Sequence, residues 1–254
     1  MGAFGIEMSE LIQPWMGRTR LLFGDEKLEK IIDAHVLVVG LGGVGGIAAE
    51  MICRAGVRKM TIVDADTVDP TNRNRQIVTL SSNHGKLKAE ELSKRLLDIN
   101  PGLELRIVAE YLKDDNVDTL LDSDSFDYAV DAIDTLSSKV YFIIKCRERR
   151  IPLVSSMGAG GRIDPSKVQI ADISESFNCH LAKDVRKKLK KHRIYKGIKV
   201  VFSSELPDKS KLVLTPEDTK KKSVIGTVSY MPNIFGCCLA SVVVRGLAER
   251  KKKK

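Results

Sequence analysis

Four glycines, an amide, two cations and two pairs of carboxylates carry the chemistry open to this 254-residue chain. Gly40, Gly42, Gly43 and Gly45 follow the apolar run 36–39. Glycine admits positive φ and lets an anion approach the main chain. A helix starting there presents unpaired N–H groups and the positive end of its dipole. Asp64 closes the next apolar run, 60–63, at the distance where a carboxylate meets a ribose hydroxyl in such turns. Asp66, Asn72, Arg75 and Lys88 follow, and Asp131 and Asp134 close a later apolar run. The glycine turn alone signals only a nucleotide, most often in a hydride-transfer enzyme. The cations shift the balance, because Arg and Lys neutralise charge at the α- and β-phosphates as pyrophosphate leaves. A carboxylate can hold Mg²⁺, which keeps most of its waters and needs few protein ligands. The set suits a nucleoside triphosphate with its metal. Arg73 and Lys86 lie two residues from Arg75 and Lys88, and either could be the contact instead. Asp131 reads as a supporting carboxylate. His84 and His180 read as solvent or core residues.

These residues need a frame. Apolar runs at 35–39, 60–64, 103–109, 126–131 and 151–155 predict strands, and 44–55, 86–99 and 137–149 predict helices. Strands alternating with helices imply an α/β fold with a Rossmann-like, doubly wound, mostly parallel sheet. Its ligands bind beyond the carboxyl ends of the strands, where the named residues fall. Residues 1–33 read as mainly helical, with Trp15 and Leu21, Leu22 and Phe23 as apolar anchors. After 167 come a strand at 168–173, a basic helix at 181–193, a strand at 198–202 and a mobile polar connection at 206–222. The last helix, 232–247, has Pro in its first turn and is too short to cross a bilayer. The expectation is one domain spanning 1–254: an N-terminal helical region (1–33), a nucleotide-binding core (34–172), a C-terminal extension carrying a basic helical insert (173–222), and a helix with a lysine tail (223–254).

The net charge of +9 is segregated: 173–222 carries +8, 245–254 carries +5, and the rest is negative. A polyanionic partner is implied. Aromatics in the insert are few (Phe177, Tyr195, Phe202), so attraction to a phosphate backbone is better supported than base stacking. Five scattered cysteines suggest free thiols in a reducing, cytoplasmic setting, and no secretory pattern opens the chain. No Cys-x-x-Cys occurs. Cys237 and Cys238 are adjacent and would point about 100° apart on a helix, which disfavours four-thiolate zinc. Cys179 is the one cysteine placed to form a thioester, and otherwise is a semi-exposed thiol without a role.

In combination, the glycine turn, Asp64-x-Asp66, Asn72-x-x-Arg75, Lys88 at a helix start and Asp131-x-x-Asp134 resemble the ubiquitin-activating-enzyme-like adenylyltransferases, which include the enzymes that adenylate the sulfur carriers of molybdopterin and thiamine synthesis. The resemblance implies that Asp64 binds the ribose, that Arg75 and Lys88 contact phosphates with help from Asn72, and that Asp134 coordinates Mg²⁺. The nucleotide-binding set becomes Gly40, Gly42, Gly43, Gly45, Asp64, Asp66, Asn72, Arg75, Lys88, Asp134 and Thr135, with ATP as the nucleotide. Arg20 resembles the arginine that reaches into a partner subunit's site, which implies a homodimer. The paired Cys-x-x-Cys zinc site of the sulfur-carrier enzymes is missing.

Further runs resemble one branch over nearly the full length: 71–76, 130–134, 150–154, 158–165 and 201–205. They match the tRNA threonylcarbamoyladenosine dehydratases. This resemblance implies ATP-dependent activation of a threonyl carboxylate on a modified adenosine, then ring closure with loss of water. The ring-closing nucleophile belongs to the substrate and is already close, so no cysteine is needed. tRNA would meet the basic insert and the tail. The alternative is adenylation of the C-terminus of a ubiquitin-like sulfur carrier, and Cys237 and Cys238 leave a sulfur-relay protein partner open. A nucleotide sensor without catalysis and a dehydrogenase are more distant readings.

Overall fold

A computed structural model describes residues 12–208, 210, 212–214 and 223–251. Seven strands form the main sheet: β1 (His35–Val39), β2 (Lys59–Val63), β3 (Glu104–Val108), β4 (Tyr128–Asp131), β5 (Leu153–Ser156), β6 (Val168–Asp172) and β7 (Lys199–Ser203). Their order is β3-β2-β1-β4-β5-β7-β6, parallel except for β6, which pairs antiparallel with β7. The helices are α1 (Gly17–Phe23), α2 (Asp25–Ile32), α3 (Gly45–Arg54), α4 (Lys88–Ile99), α5 (Asp114–Asp122), α6 (Leu136–Glu148), α7 (His180–Lys191) and α8 (Tyr230–Ala248). β1 and β4 are buried along their whole length, as strands covered on both faces must be, whereas β3 at the edge is mostly open.

The chain leaves β1 toward β2 and β3 on one side, then returns to β4 on the other. This reversal opens a crevice at the carboxyl ends of β1 and β4, the place where doubly wound sheets bind ligands. α8 closes the back of the crevice. A Cβ on its Gly236 would lie 1.9 Å from Ile47 and 2.5 Å from the Val44 carbonyl, so only glycine permits this crossing of α8 over α3. One apolar cluster runs from Ile31 through the β1, β2 and β4 side chains to Leu247 and Ala248.

Several expectations change. Segment 173–222 is not a simple insert, because β7 lies in the main sheet beside β5. Helix α5 has no counterpart in the sequence reading. Within 206–222, Leu212–Leu214 forms β8, which pairs antiparallel with β9 (Ser223–Ile225), while 209, 211 and 215–222 lie outside the described residues. Trp15, Leu21 and Leu22 are not anchors of the core. They are 41%, 88% and 79% exposed, and Met16 is the buried member of that segment. α8 has 19 residues and is long and apolar enough to span a bilayer, but most of it is buried inside this fold. Lysines 252–254 of the tail, and residues 1–11, lie outside the described residues.

Candidate active site

The glycine turn is built by packing as much as by any ligand. Gly40 sits at φ +86°, and a Cβ there would lie 2.7 Å from the Ala132 carbonyl. A Cβ on Gly45 would lie 1.7 Å from the Gly40 carbonyl, so no other residue fits. Gly43 backs onto Pro232 and the Arg75 backbone. Gly42 has only the Gln76 amide nearby, at 3.7 Å, so its missing side chain leaves the backbone approachable from outside. The first turn of α3 starts here with its N–H groups unsatisfied by any side-chain cap.

Asp64 braces this turn. One carboxylate oxygen accepts the Leu41 N–H at 2.6 Å and the other accepts the Asp66 N–H at 2.8 Å. Each oxygen retains a further lone pair for a ligand hydroxyl. Burial pushes the Asp64 carboxyl above the usual range, against the two backbone donors.

Lys88, the first residue of α4, is buried, and its ammonium lies 3.0 Å from Asp66 Oδ2. Tyr111, which the sequence reading missed, donates its hydroxyl to Asp66 Oδ1 at 2.9 Å. Asp66 offsets the cost of a cation at a helix N-terminus. Arg75 bonds the Thr71 carbonyl at 3.1 Å and Asn74 Oδ1 at 2.7 Å. Asn72 accepts from the Gln76 amide. Gln76 is a second residue the sequence reading did not single out, and its buried Oε1 has no partner. Arg73 and Lys86 are exposed, whereas Arg75 is half-buried and Lys88 buried, so the latter two are the better-held cations.

Beyond β4, Asp131 is fully buried. It accepts from Lys139 Nζ at 2.7 Å, from the Ser155 hydroxyl at 2.6 Å and from the Ile133 N–H at 3.0 Å. It is the supporting carboxylate that the sequence suggested. Lys139 gave no signal in the sequence, since one lysine in a helix is ordinarily solvated. Asp134 and Thr135 are exposed in the loop that leads into α6, and Ala132 in the same loop donates its N–H to the Val39 carbonyl at the end of β1 while its own carbonyl lies against Gly40.

The single chain does not bring Arg20 to this crevice. It lies exposed on α1 in a two-bond ion pair with Asp25. His84 and His180 are exposed. Cys179 is buried rather than semi-exposed, its sulfur accepting the Ala182 N–H at the start of α7. All five cysteines are free, and among the described residues no cluster of three or more His, Cys, Asp or Glu side chains could hold a metal unaided.

The glycine turn, Asp64, the Lys88–Asp66 pair, Arg75 and Asp134 gather at the crevice of this sheet, and the family model that matches residues 16–254 is that of the ThiF family. The chain belongs to the ThiF family. Among its relatives, the tRNA threonylcarbamoyladenosine dehydratase of Bacillus subtilis is 38% identical over 237 residues, covering 91% of this chain and 93% of that one. The tRNA N6-threonylcarbamoyladenosine dehydratase of Escherichia coli has been solved in complex with ATP. It is 33% identical, covers 95% of this chain and 97% of its own, and superposes with a TM-score of 0.86. Its complex with AMP superposes at 0.84. The molybdopterin-synthase adenylyltransferase of Salmonella typhimurium, another ThiF-type relative, is 33% identical but over 62% of this chain and 61% of its own.

Proposed function

We propose that this chain is an ATP-dependent dehydratase that cyclises threonylcarbamoyladenosine in tRNA through a carboxyl-adenylate. The observation that carries the reading is the likeness to dehydratases over more than nine tenths of both chains, on a chain that carries the glycine turn, Asp64, Arg75 and Lys88. The five free cysteines are consistent with a reducing, cytoplasmic setting.

In this reading the Gly42 and Gly43 amides and the start of α3 hold ATP phosphates, and Asp64 takes a ribose hydroxyl. The substrate's threonyl carboxylate attacks the α-phosphorus, a new P–O bond forms, and the bond to the β-phosphate oxygen breaks. Arg75 and Lys88, with Asn72 beside them, stabilise the negative charge that accumulates on the departing pyrophosphate. Asp134, exposed in the loop beyond β4, would hold Mg²⁺, which would supply positive charge against the phosphates. One protein carboxylate suffices for a metal that the triphosphate itself ligates. The ureido group then closes on the activated carbonyl carbon. AMP leaves with the former carboxylate oxygen, and the net change is loss of one water. The exposed Trp15, Leu21 and Leu22 share a segment with Arg20, which supports a homodimer in which Arg20 reaches the partner's crevice.

The test is mass spectrometry of nucleosides after incubating the protein with ATP, Mg²⁺ and tRNA bearing threonylcarbamoyladenosine. The expected product is lighter by one water, with AMP and pyrophosphate formed in equal amounts. Absence of that product overturns the reading.

A further inference from the structure

We propose that the exposed basic face of α7, with Phe177 just before its start, is the surface on which the RNA docks: phosphates along the lysines, a base on the ring. The inference rests on tRNA being the substrate and adds which side chains hold it.

α7 buries Ala182, Val185 and Leu189 against the fold. The opposite face presents Lys183, Lys187, Lys190 and Lys191, with Asp184 its one acidic residue. The exposed residues Arg193, Lys196 and Lys199 continue it. None of the four helix lysines forms an ion pair among the described residues. Some surface cations on other helices do: Lys30 with Glu26 and Lys94 with Glu91. Like charges three and four residues apart destabilise a helix. Lys190 and Lys191 complement the helix dipole at its C-terminal end, but Lys183 and Lys187 lie too far from that end to do so. A row of unpaired lysines therefore fits a polyanion.

The start of the row is tied to the loop beyond β5. Arg162, buried after β5, donates to the Gly158 and Gly160 carbonyls at 2.6 and 3.0 Å and to the Asn178 carbonyl at 2.8 Å. It thereby ties the start of α7 to the loop beyond β5, which neighbours the β4 strand that leads to Asp134. Phe177 is half-exposed. Its ring meets buried Phe202 edge-on, with centroids 5.5 Å apart, which fixes the ring beside open solvent. Basic grooves with a stacking ring at one end are the usual means of holding single-stranded RNA. Over its 12 residues α7 extends about 18 Å, enough to follow several nucleotides.

The test compares the wild-type chain with the triple variant Lys183→Glu, Lys187→Glu, Lys190→Glu and with Phe177→Ala. Affinity for tRNA bearing threonylcarbamoyladenosine is measured across a salt series, and ATP affinity is measured in parallel to report on folding. The triple variant is expected to lose more than about tenfold in tRNA affinity and to flatten the log K against log salt slope by about 2–3. Phe177→Ala is expected to lose about tenfold with the slope unchanged. Both should bind ATP as the wild type does. A triple variant with wild-type tRNA affinity and slope overturns the proposal. Product formation by the wild-type chain is read separately, so failure of the dehydratase reading is distinguishable from failure of this surface.

Discussion

Lys139 Nζ lies 2.7 Å from Asp131 Oδ2 at the end of β4, and neither side chain reaches solvent. The same carboxylate holds the Ser155 hydroxyl on β5 and the Ile133 N–H. One buried pair thus fixes two strand ends, the first turn of α6 and the loop that carries Asp134. Removing one partner strands the other charge. Lys139→Met is expected to destabilise the fold by about 3–5 kcal/mol in denaturant unfolding. Adding Asp131→Leu to that variant should restore much of the loss, because two apolar side chains leave no unpaired charge.

The glycines divide by role. Gly45→Ala forces a Cβ to 1.7 Å from a carbonyl and is expected to abolish ATP binding together with a lowered melting temperature. Gly42→Ala meets only the Gln76 amide at 3.7 Å. It should melt like the wild type yet bind ATP more weakly by about 1.5–3 kcal/mol, the worth of a hydrogen bond to a charged phosphate. Calorimetric titration with ATP and a thermal melt separate the two outcomes.

Lys88 is held by Asp66, and in the proposed reaction it neutralises phosphate charge. Lys88→Ala is expected to slow AMP formation about 10²–10³-fold. Asp66→Asn leaves the cation without its carboxylate and should raise the KM for ATP with a smaller effect on kcat. Steady-state pyrophosphate release at varied ATP distinguishes them.

His35 is buried at the opposite end of β1, its Nε2 2.9 Å from the Thr61 hydroxyl. Burial lowers its pKa below 6.5, and Lys59 adds to that, while Asp124, 3.5 Å from Nδ1, opposes it. Below pH 6.5 the unfolded chain therefore takes up a proton that the native state refuses. Stability should fall as pH drops from 6.5 toward the lowered native value, and be unaffected by this group above 6.5. His35→Gln should flatten that part of the stability–pH curve, measured by urea unfolding at each pH.

Cys53, Cys146 and Cys179 are buried, Cys238 is half-buried and Cys237 is exposed on α8. Cys179 is buried at a helix start, and burial raises the thiols of Cys53, to about 12, and of Cys146. Burial also raises Cys237 and Cys238. Cys179→Ser and the double variant Cys237→Ser, Cys238→Ser are expected to form the dehydrated nucleoside at rates within about threefold of wild type, since intramolecular closure needs no enzyme thiol. A trapped thioester or a dead variant would refute this.

Local patterns in the sequence placed β1 without error, because a five-residue apolar run bounded by a glycine turn leaves little choice. They also placed the glycine turn between β1 and α3, Asp64 just after β2 and the loop after β4, all of which depend on contiguous residues. What stayed hidden was set by distant partners. Lys139 and Tyr111 look like ordinary surface residues until Asp131 and Asp66 arrive from other elements. The exposure of Leu21 and Leu22 contradicts their apolar character, which in sequence is indistinguishable from that of core residues. The place of β7 inside the main sheet is a matter of topology, and a basic stretch around an apolar run reads as an insertion when only composition is considered.

The crossing of α8 over α3 at Gly236 has a consequence for the order of events during synthesis. Pro232, on α8, is part of what the glycine turn rests on. Ribosomes deliver Gly40 to Gly45 long before they deliver that support. A nascent chain therefore has its nucleotide turn early but lacks the wall behind it until residue 248 has emerged. A ligand that binds the completed turn and wall, and not the unfinished chain, stabilises finished molecules alone.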